Sequence, residues 1–229
     1  MLLEVIATTY EDAVIAERNG ADRIELITAF TEGGLTPSIG TVAAVLEEVR
    51  IPVRVMVRPH ARGFMYSADD IRIVRSDIEQ IRSVGGREIV LGLLRSDRTI
   101  DLKGLEELLA AAKGMKATFH RAFDEVRDQH EALSLLMQYP QITDILTSGG
   151  QSTAPEGAAR LRSLHAAASA TGSIGILAGS GLSAANIADF MQQTGIRRLH
   201  VGTSVRRAGS PLTEIEPERL QAIRAIMKP

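Results

Sequence analysis

There is no cysteine among the 229 residues, which excludes disulfides, zinc fingers, thiolate copper sites and cysteine nucleophiles. There is no tryptophan either, and aromatic residues make up only 3% of the chain, so stacking of bases on exposed rings is a poor binding mode for it. An excess of either charge is also missing. The 26 Lys and Arg against 28 Asp and Glu leave a net charge of −2, so no bulk attraction to nucleic acid or to an anionic membrane is expected. No apolar run approaches the roughly 18 residues that would mark a membrane span. The opening Met1-Leu2-Leu3-Glu4-Val5-Ile6 lacks the basic and long apolar segments of a secretory signal, and a cytoplasmic location is the expectation. HExxH, EF-hand and Walker motifs are absent as well.

What is present is ordinary globular material, 45% apolar and 24% charged, at the size of one α/β barrel. Short β-branched runs alternate with stretches of helical period. Strands are expected near Leu2–Ala7, Arg23–Thr28, Val53–Arg58, Glu88–Leu94, Met115–His120, Thr143–Thr147, Ile174–Ala178 and Arg198–Gly202. Helices are expected near Glu11–Asn19, Ser38–Glu48, Ala68–Val84, Leu102–Ala112, Gln129–Tyr139, Pro155–Ala170, Ser183–Gln193 and Pro217–Met227. Asn19-Gly20, Gly85-Gly86 and Gly195 supply helix stops, and Ser67, Asp101 and Ser183 stand where N-caps belong. Strands each followed by a helix, with no linker between them, predict one (β/α)8 TIM barrel over residues 1–229. A doubly wound open sheet is the alternative. Gly179-Ser180-Gly181-Leu182-Ser183-Ala184 fits the dinucleotide fingerprint, but no acid stands about twenty residues on and too little chain remains for a nucleotide-binding half.

Alternation along the strands predicts an unusual barrel interior. With Leu3, Val5, Ile24, Leu26, Val53, Val55, Val57, Ala117, Phe119, Leu199 and Val201 facing the helices, the inward set contains Glu4, Arg23, Glu25, Arg54, Met56, Arg58, Thr118, His120, Arg198 and His200. Barrel interiors are normally filled with branched apolar side chains. Buried charges are tolerated only when paired, so a compensated network is expected. Its deeper members, Arg23, Arg54 and Arg198, read as structural. Glu4, Glu25, Arg58, His120 and His200 combine acid–base groups with a cation able to hold an anion, and they are the catalytic candidates together with Arg121 and Asp124, which follow strand five in His120-Arg121-Ala122-Phe123-Asp124. Two Glu and two His could also ligate a metal, but with so many Arg beside them no metal set is assigned.

Active sites of such barrels lie at the C-terminal ends of the strands, and a phosphate often sits on the loops after strands seven and eight. Here those loops read Gly179, Ser180, Gly181 and Gly202, Thr203, Ser204, the second followed by Arg206 and Arg207 as further cations. The loop after strand six, Thr147, Ser148, Gly149, and the loop Thr31–Ser38 after strand two are similarly small and polar. A small anionic ligand is the expected partner.

These residues together resemble the CutC family. The resemblance is carried by Asn19-Gly20-Ala21-Asp22-Arg23-Ile24-Glu25-Leu26, Glu32-Gly33-Gly34-Leu35-Thr36-Pro37-Ser38, Val55-Met56-Val57-Arg58-Pro59, Gly92-Leu93-Leu94, Thr118-Phe119-His120-Arg121-Ala122-Phe123-Asp124 and Leu146-Thr147-Ser148-Gly149-Gly150-Gln151. It implies a TIM barrel, a cytoplasmic homodimer, and a role in copper homeostasis with copper binding. Ile27, and Ile6 with Ala7, stand where relatives often carry Cys, and Cu(I) prefers thiolate or thioether ligands. Two functions are therefore carried forward: a copper-handling protein, as the family implies, and a barrel enzyme acting on a small anionic or phosphorylated metabolite.

Overall fold

The structure is a computed structural model and describes residues 1–227. Eight parallel strands, β1 (Leu2–Ala7), β2 (Arg23–Leu26), β3 (Val53–Met56), β4 (Glu88–Leu91), β5 (Lys116–Phe119), β6 (Ile142–Thr147), β7 (Gly175–Ala178) and β8 (Arg198–Val201), run in sequence order and close on themselves, β1 pairing with both β2 and β8. Closure removes sheet edges, and it excludes the open doubly wound alternative. Around the barrel lie α1 (Tyr10–Arg18), α2 (Ile39–Glu48), α3 (Ala68–Ser83), α4 (Leu102–Ala111), α5 (Gln129–Leu136), α6 (Ala158–Thr171), α7 (Ile187–Thr194) and α8 (Pro217–Met227). None is long and apolar enough to cross a membrane, among the described residues.

The expected elements are all found, with shifted ends. Ser67 and Asp101 cap α3 and α4 as anticipated, and Ser67 forms a full capping box with Asp70. Ser183 does not cap α7. Its main-chain N–H donates instead to Asn186 Oδ1 in a separate turn, and the helix starts only at Ile187. Helix α6 likewise begins at Ala158 rather than Pro155, after a turn closed by Gly157 N–H on Thr153 O.

The main core lies between strands and helices. Leu3, Val5, Ile24, Leu26, Val55, Ile89, Phe119, Ile145, Leu199 and Val201 pack there against Val42, Val45, Val74, Ile78, Leu105, Leu161 and Leu220. Each such side chain contributes about 1.5–3 kcal/mol through burial. The opposite strand faces fill the lumen, where Ile6, Ile27, Met56 and Val90 form a separate small cluster with Phe30 against it. Above and below that cluster the lumen is polar.

Candidate functional site

The lower lumen is an ion lattice. Strand register sets Glu4 beside Arg23 and His200, Glu25 beside Arg54, and Arg54 beside Glu88. Arg23 Nε donates to Glu4 Oε2 at 2.5 Å, and Arg54 Nε to Glu88 Oε2 at 2.8 Å. Asp144 on β6 is the hub, fully buried, with Arg23 Nη1 at 3.2 Å, Arg54 Nη1 at 2.8 Å and Arg198 Nη2 at 2.5 Å. Burying so many charges is tolerable because Glu4, Glu88 and Asp144 each meet at least one guanidinium.

One step higher, His200 bridges two carboxylates. Its Nδ1 lies 2.8 Å from Glu4 Oε1, and its Nε2 lies 3.8 Å from Glu25 Oε2. Burial opposes charge on Glu4, but Arg23 and His200 outweigh it and hold the carboxyl well below the usual range. Glu25 meets no guanidinium as a salt-bridge partner. Burial pushes it up to about 7, with Glu4 adding to the rise. Burial also disfavours the His200 cation, yet the Glu25 and Glu4 carboxylates raise its pKa.

Above this trio the lumen opens into a cavity of about 400 Å³ at the C-terminal ends of the strands. Glu25, His200 and the cluster Ile6, Ile27 and Met56 lie along it, with Phe30 and Phe64 among its walls. Arg58 is fixed there by Nη1 bonds to Glu32 O at 2.9 Å and Gly34 O at 3.1 Å, and its guanidinium lies 4.9 Å from the Phe64 ring centre. His120 packs on Phe64 at 4.8 Å between ring centres and accepts from Ala122 N–H at Nδ1, 3.2 Å away. Burial, with Arg58 nearby, lowers its pKa to about 3, so the ring is neutral and carries its proton on Nε2.

Of the residues named from sequence, Glu25, Arg58, His120, Arg121, His200, Ser180, Gly181, Gly202, Thr203 and Ser204 line this cavity. Glu4 sits beneath it as the partner of His200 and Arg23. Gly179 packs under His200, where a Cβ would stand 3.2 Å from Cδ2. The group after β6 is placed elsewhere. Asp124 accepts from Thr147 Oγ1 at 2.5 Å, from Ser148 N–H at 3.1 Å and from Gly150 N–H at 2.9 Å, and Gly149 N–H donates back to Thr147 Oγ1 at 2.8 Å. Asp124, Thr147, Ser148 and Gly149 thus brace a loop, and through Arg121, held by Asp124 Oδ2 at 2.8 Å and Ser148 Oγ at 3.0 Å, they position a cation at the cavity rim. Arg206 and Arg207, anticipated as phosphate cations, are turned away. Arg206 pairs with buried Asp12 at 2.7 Å, and Arg207 with Glu214 at 2.9 Å on the surface.

Comparison with known proteins fits this picture. The CutC family model matches residues 1–205. A family protein CutC from Pectobacterium atrosepticum is 43% identical over 198 residues, covering 86% of this chain and 77% of the relative. The chain belongs to the CutC family. The solved CutC of Streptococcus agalactiae, which carries the name of a copper homeostasis protein, superimposes with a TM-score of 0.81 at 31% identity over 89% of this chain and 98% of that one. A phosphoribosyl anthranilate isomerase from Thermococcus kodakaraensis shares the barrel alone, with a TM-score of 0.65 at 16% identity over 99% of this chain and 98% of the other.

The copper that the family name brings to mind finds a poor donor set in this CutC chain. Glu4, Glu25 and His200 offer ligand atoms within 4.8 Å of one another. Those atoms are hard oxygens and one imidazole nitrogen, and Glu4 is already held by Arg23 and His200. Among the described residues Met56 is the one thioether along the cavity. Cu(I) asks for soft sulfur ligands, and a cation here would also compete with Arg23. The residues do not fit that ion.

Sequence reasoning missed Asp144, Phe30 and Phe64. Asp144 was readable, since it precedes the core residue Ile145 and strand alternation turns it inward. The aromatic residues lie on irregular loops after β2 and β3, where no period reveals a direction.

Proposed function

We propose that this CutC chain serves copper homeostasis, the role named for its Streptococcus agalactiae relative, by binding and transforming a small anionic metabolite in the lumen cavity rather than by coordinating Cu(I). The cytoplasmic location and the homodimer in which it would act rest on the family resemblance.

One observation carries the reading. Glu25, Arg58 and His120 are each more than nine-tenths buried, all line one cavity, and each keeps a polar atom without a protein hydrogen bond: Glu25 Oε1, Arg58 Nε and His120 Nε2. An unmet buried polar group costs about 1–3 kcal/mol, and three in the walls of one cavity support a site whose partners arrive with a ligand. Arg58 and Arg121 favour a ligand that brings negative charge, and the acid–base groups beside them favour one that reacts. The cluster of Glu4, Glu25 and His200 is what favours direct copper binding, and its hard donors and its Arg23 clamp weigh against it.

A competition titration separates the two. Purified protein is titrated into a coloured Cu(I)–bathocuproine disulfonate complex under reducing conditions. The expected result is no transfer of Cu(I) from the chelator. One equivalent withdrawn by the wild type and not by His200→Phe would overturn the small-anion reading.

A further inference from the structure

We propose that the cavity moves a proton between adjacent carbons of a small sugar phosphate, with Glu25 as the base, His120 as the hydrogen-bond donor to the carbonyl oxygen, and the loops after β7 and β8, with Arg58 as the countercharge in the same cavity, as the seat of the phosphate. This rests on the small-anion reading and gives it a substrate class and a reaction.

Removing a proton from carbon beside a carbonyl needs a dry, strong base and a donor that stabilises charge on the oxygen. Glu25 offers the base. One of its oxygens is engaged at 3.8 Å by His200 Nε2, and Oε1 is left without a partner. His200 is anchored in turn by Glu4, so Glu25 sits on a rigid base of paired charges. Burial lifts its pKa to about 7, which strengthens it as a base while leaving it partly ionised near neutral pH. His120 offers the donor. The Ala122 N–H occupies Nδ1, which fixes the proton on Nε2, an atom with no partner in a residue that lines the same cavity. A neutral imidazole and a carboxylate in the walls of one cavity are the groups that suit an enediolate, whose own oxygen is a strong base.

The phosphate seat has two independent sides. Gly181 and Leu182 after β7, and Thr203 and Ser204 after β8, line the cavity, and among the described residues their main-chain N–H groups have no hydrogen-bond partner. Ser204 Oγ is buried and unpartnered as well. Ser180 holds φ at 76° and Gly181 at 71°, a left-handed pair that a serine adopts only at some cost in strain. Phe30, Phe64, Ile27 and Leu146 make part of the wall apolar, which suits the carbon chain of a sugar.

The step balances without a co-substrate. Glu25 takes the C–H proton, and the bonding pair moves to form the enediolate as the carbonyl π pair goes to oxygen, where His120 Nε2–H meets it. The proton of the neighbouring hydroxyl passes across His120 to that oxygen, and Glu25 returns its proton to the neighbouring carbon.

Dihydroxyacetone phosphate, ribulose 5-phosphate and fructose 6-phosphate are each incubated with the full chain in D2O, and loss of the C–H signal is followed by proton NMR against a protein-free control. Binding of inorganic phosphate is measured by calorimetry on the same preparation. Exchange above the control is expected with at least one sugar phosphate. It should fall at least about 100-fold in Glu25→Gln and in His120→Gln, both of which keep phosphate binding and the far-ultraviolet dichroism of the wild type. Phosphate binding without exchange of any of the three would overturn the proton-transfer proposal and leave the small-anion reading standing. Failure of both measurements would overturn both. Exchange undiminished in Glu25→Gln would overturn the assignment of the base.

Discussion

Inside the lumen the charges come close to cancelling: Glu4, Glu25, Glu88 and Asp144 face Arg23, Arg54, Arg198 and His200. Removing a member therefore has opposite consequences at different positions. Asp144→Asn leaves three guanidiniums around a neutral amide and should cost about 3–5 kcal/mol in urea unfolding, the usual penalty for breaking a buried pair. Glu25→Gln should be at least as stable as the wild type at pH 8. The folded pKa of Glu25 is raised from 4.5 to about 7, so its ionisation weakens the fold as pH climbs through that window, and the amide removes the term. His200 acts in the same direction, since its raised pKa gives stability below about 6.5 that is lost as pH rises through the folded value. His120 has the reverse sign. Its pKa falls from 6.5 to about 3, so the unfolded chain binds the proton first and stability drops as pH falls. Between pH 7 and pH 5 this one group accounts for about 2 kcal/mol, and His120→Phe should shrink the acid loss of urea stability by that amount. An unchanged acid loss in the variant would show His120 charged or exposed in the folded protein.

At the scale of elements, the end of β4 and the turn after β5 fit together through a glycine. A Cβ on Gly92 would collide with His120 Nδ1 and stand 3.1 Å from the Ala122 Cβ. Gly92→Ala should therefore displace the imidazole, cost about 1–3 kcal/mol through overpacking, and remove ligand response while the dichroism stays native. Ser67→Ala tests an ordinary element by contrast. Loss of the α3 cap should lower stability by about 1 kcal/mol and leave any binding unchanged. This contrast also explains what could be read from the sequence. Val53, Val55 and Val57 on one face of β3 force Arg54, Met56 and Arg58 onto the other, so the polar lumen and its Glu25, His120 and His200 were legible from a period of two. Helix ends such as Ser67 and Asp101 were legible from capping chemistry. Phe30 and Phe64 were not, because irregular loops carry no period. Asp124, Thr147 and Ser148 looked like ligand groups because a polar loop on the functional face has the same composition whether it binds a ligand or braces itself.

For the whole molecule, closure of eight strands puts a charged lattice at one end of the lumen, an apolar belt of Ile6, Ile27, Met56 and Val90 in the middle, and a cavity at the other end. The lattice orients Glu25 and His200 from below, and the loops from β7 and β8 close the cavity from the side. Such an interior is expensive to build if its only task is to hold the barrel open, because branched apolar layers do that at no electrostatic cost. The central claim is that this cavity takes a small anion. Calorimetric titration of the wild type and of Arg58→Met with inorganic phosphate tests it most directly. The account predicts one saturable site per chain in the wild type, weakened by more than about tenfold in a natively folded Arg58→Met protein, as loss of one charge-assisted contact implies. No saturable heat in the wild type, or equal affinity in the variant, would contradict it.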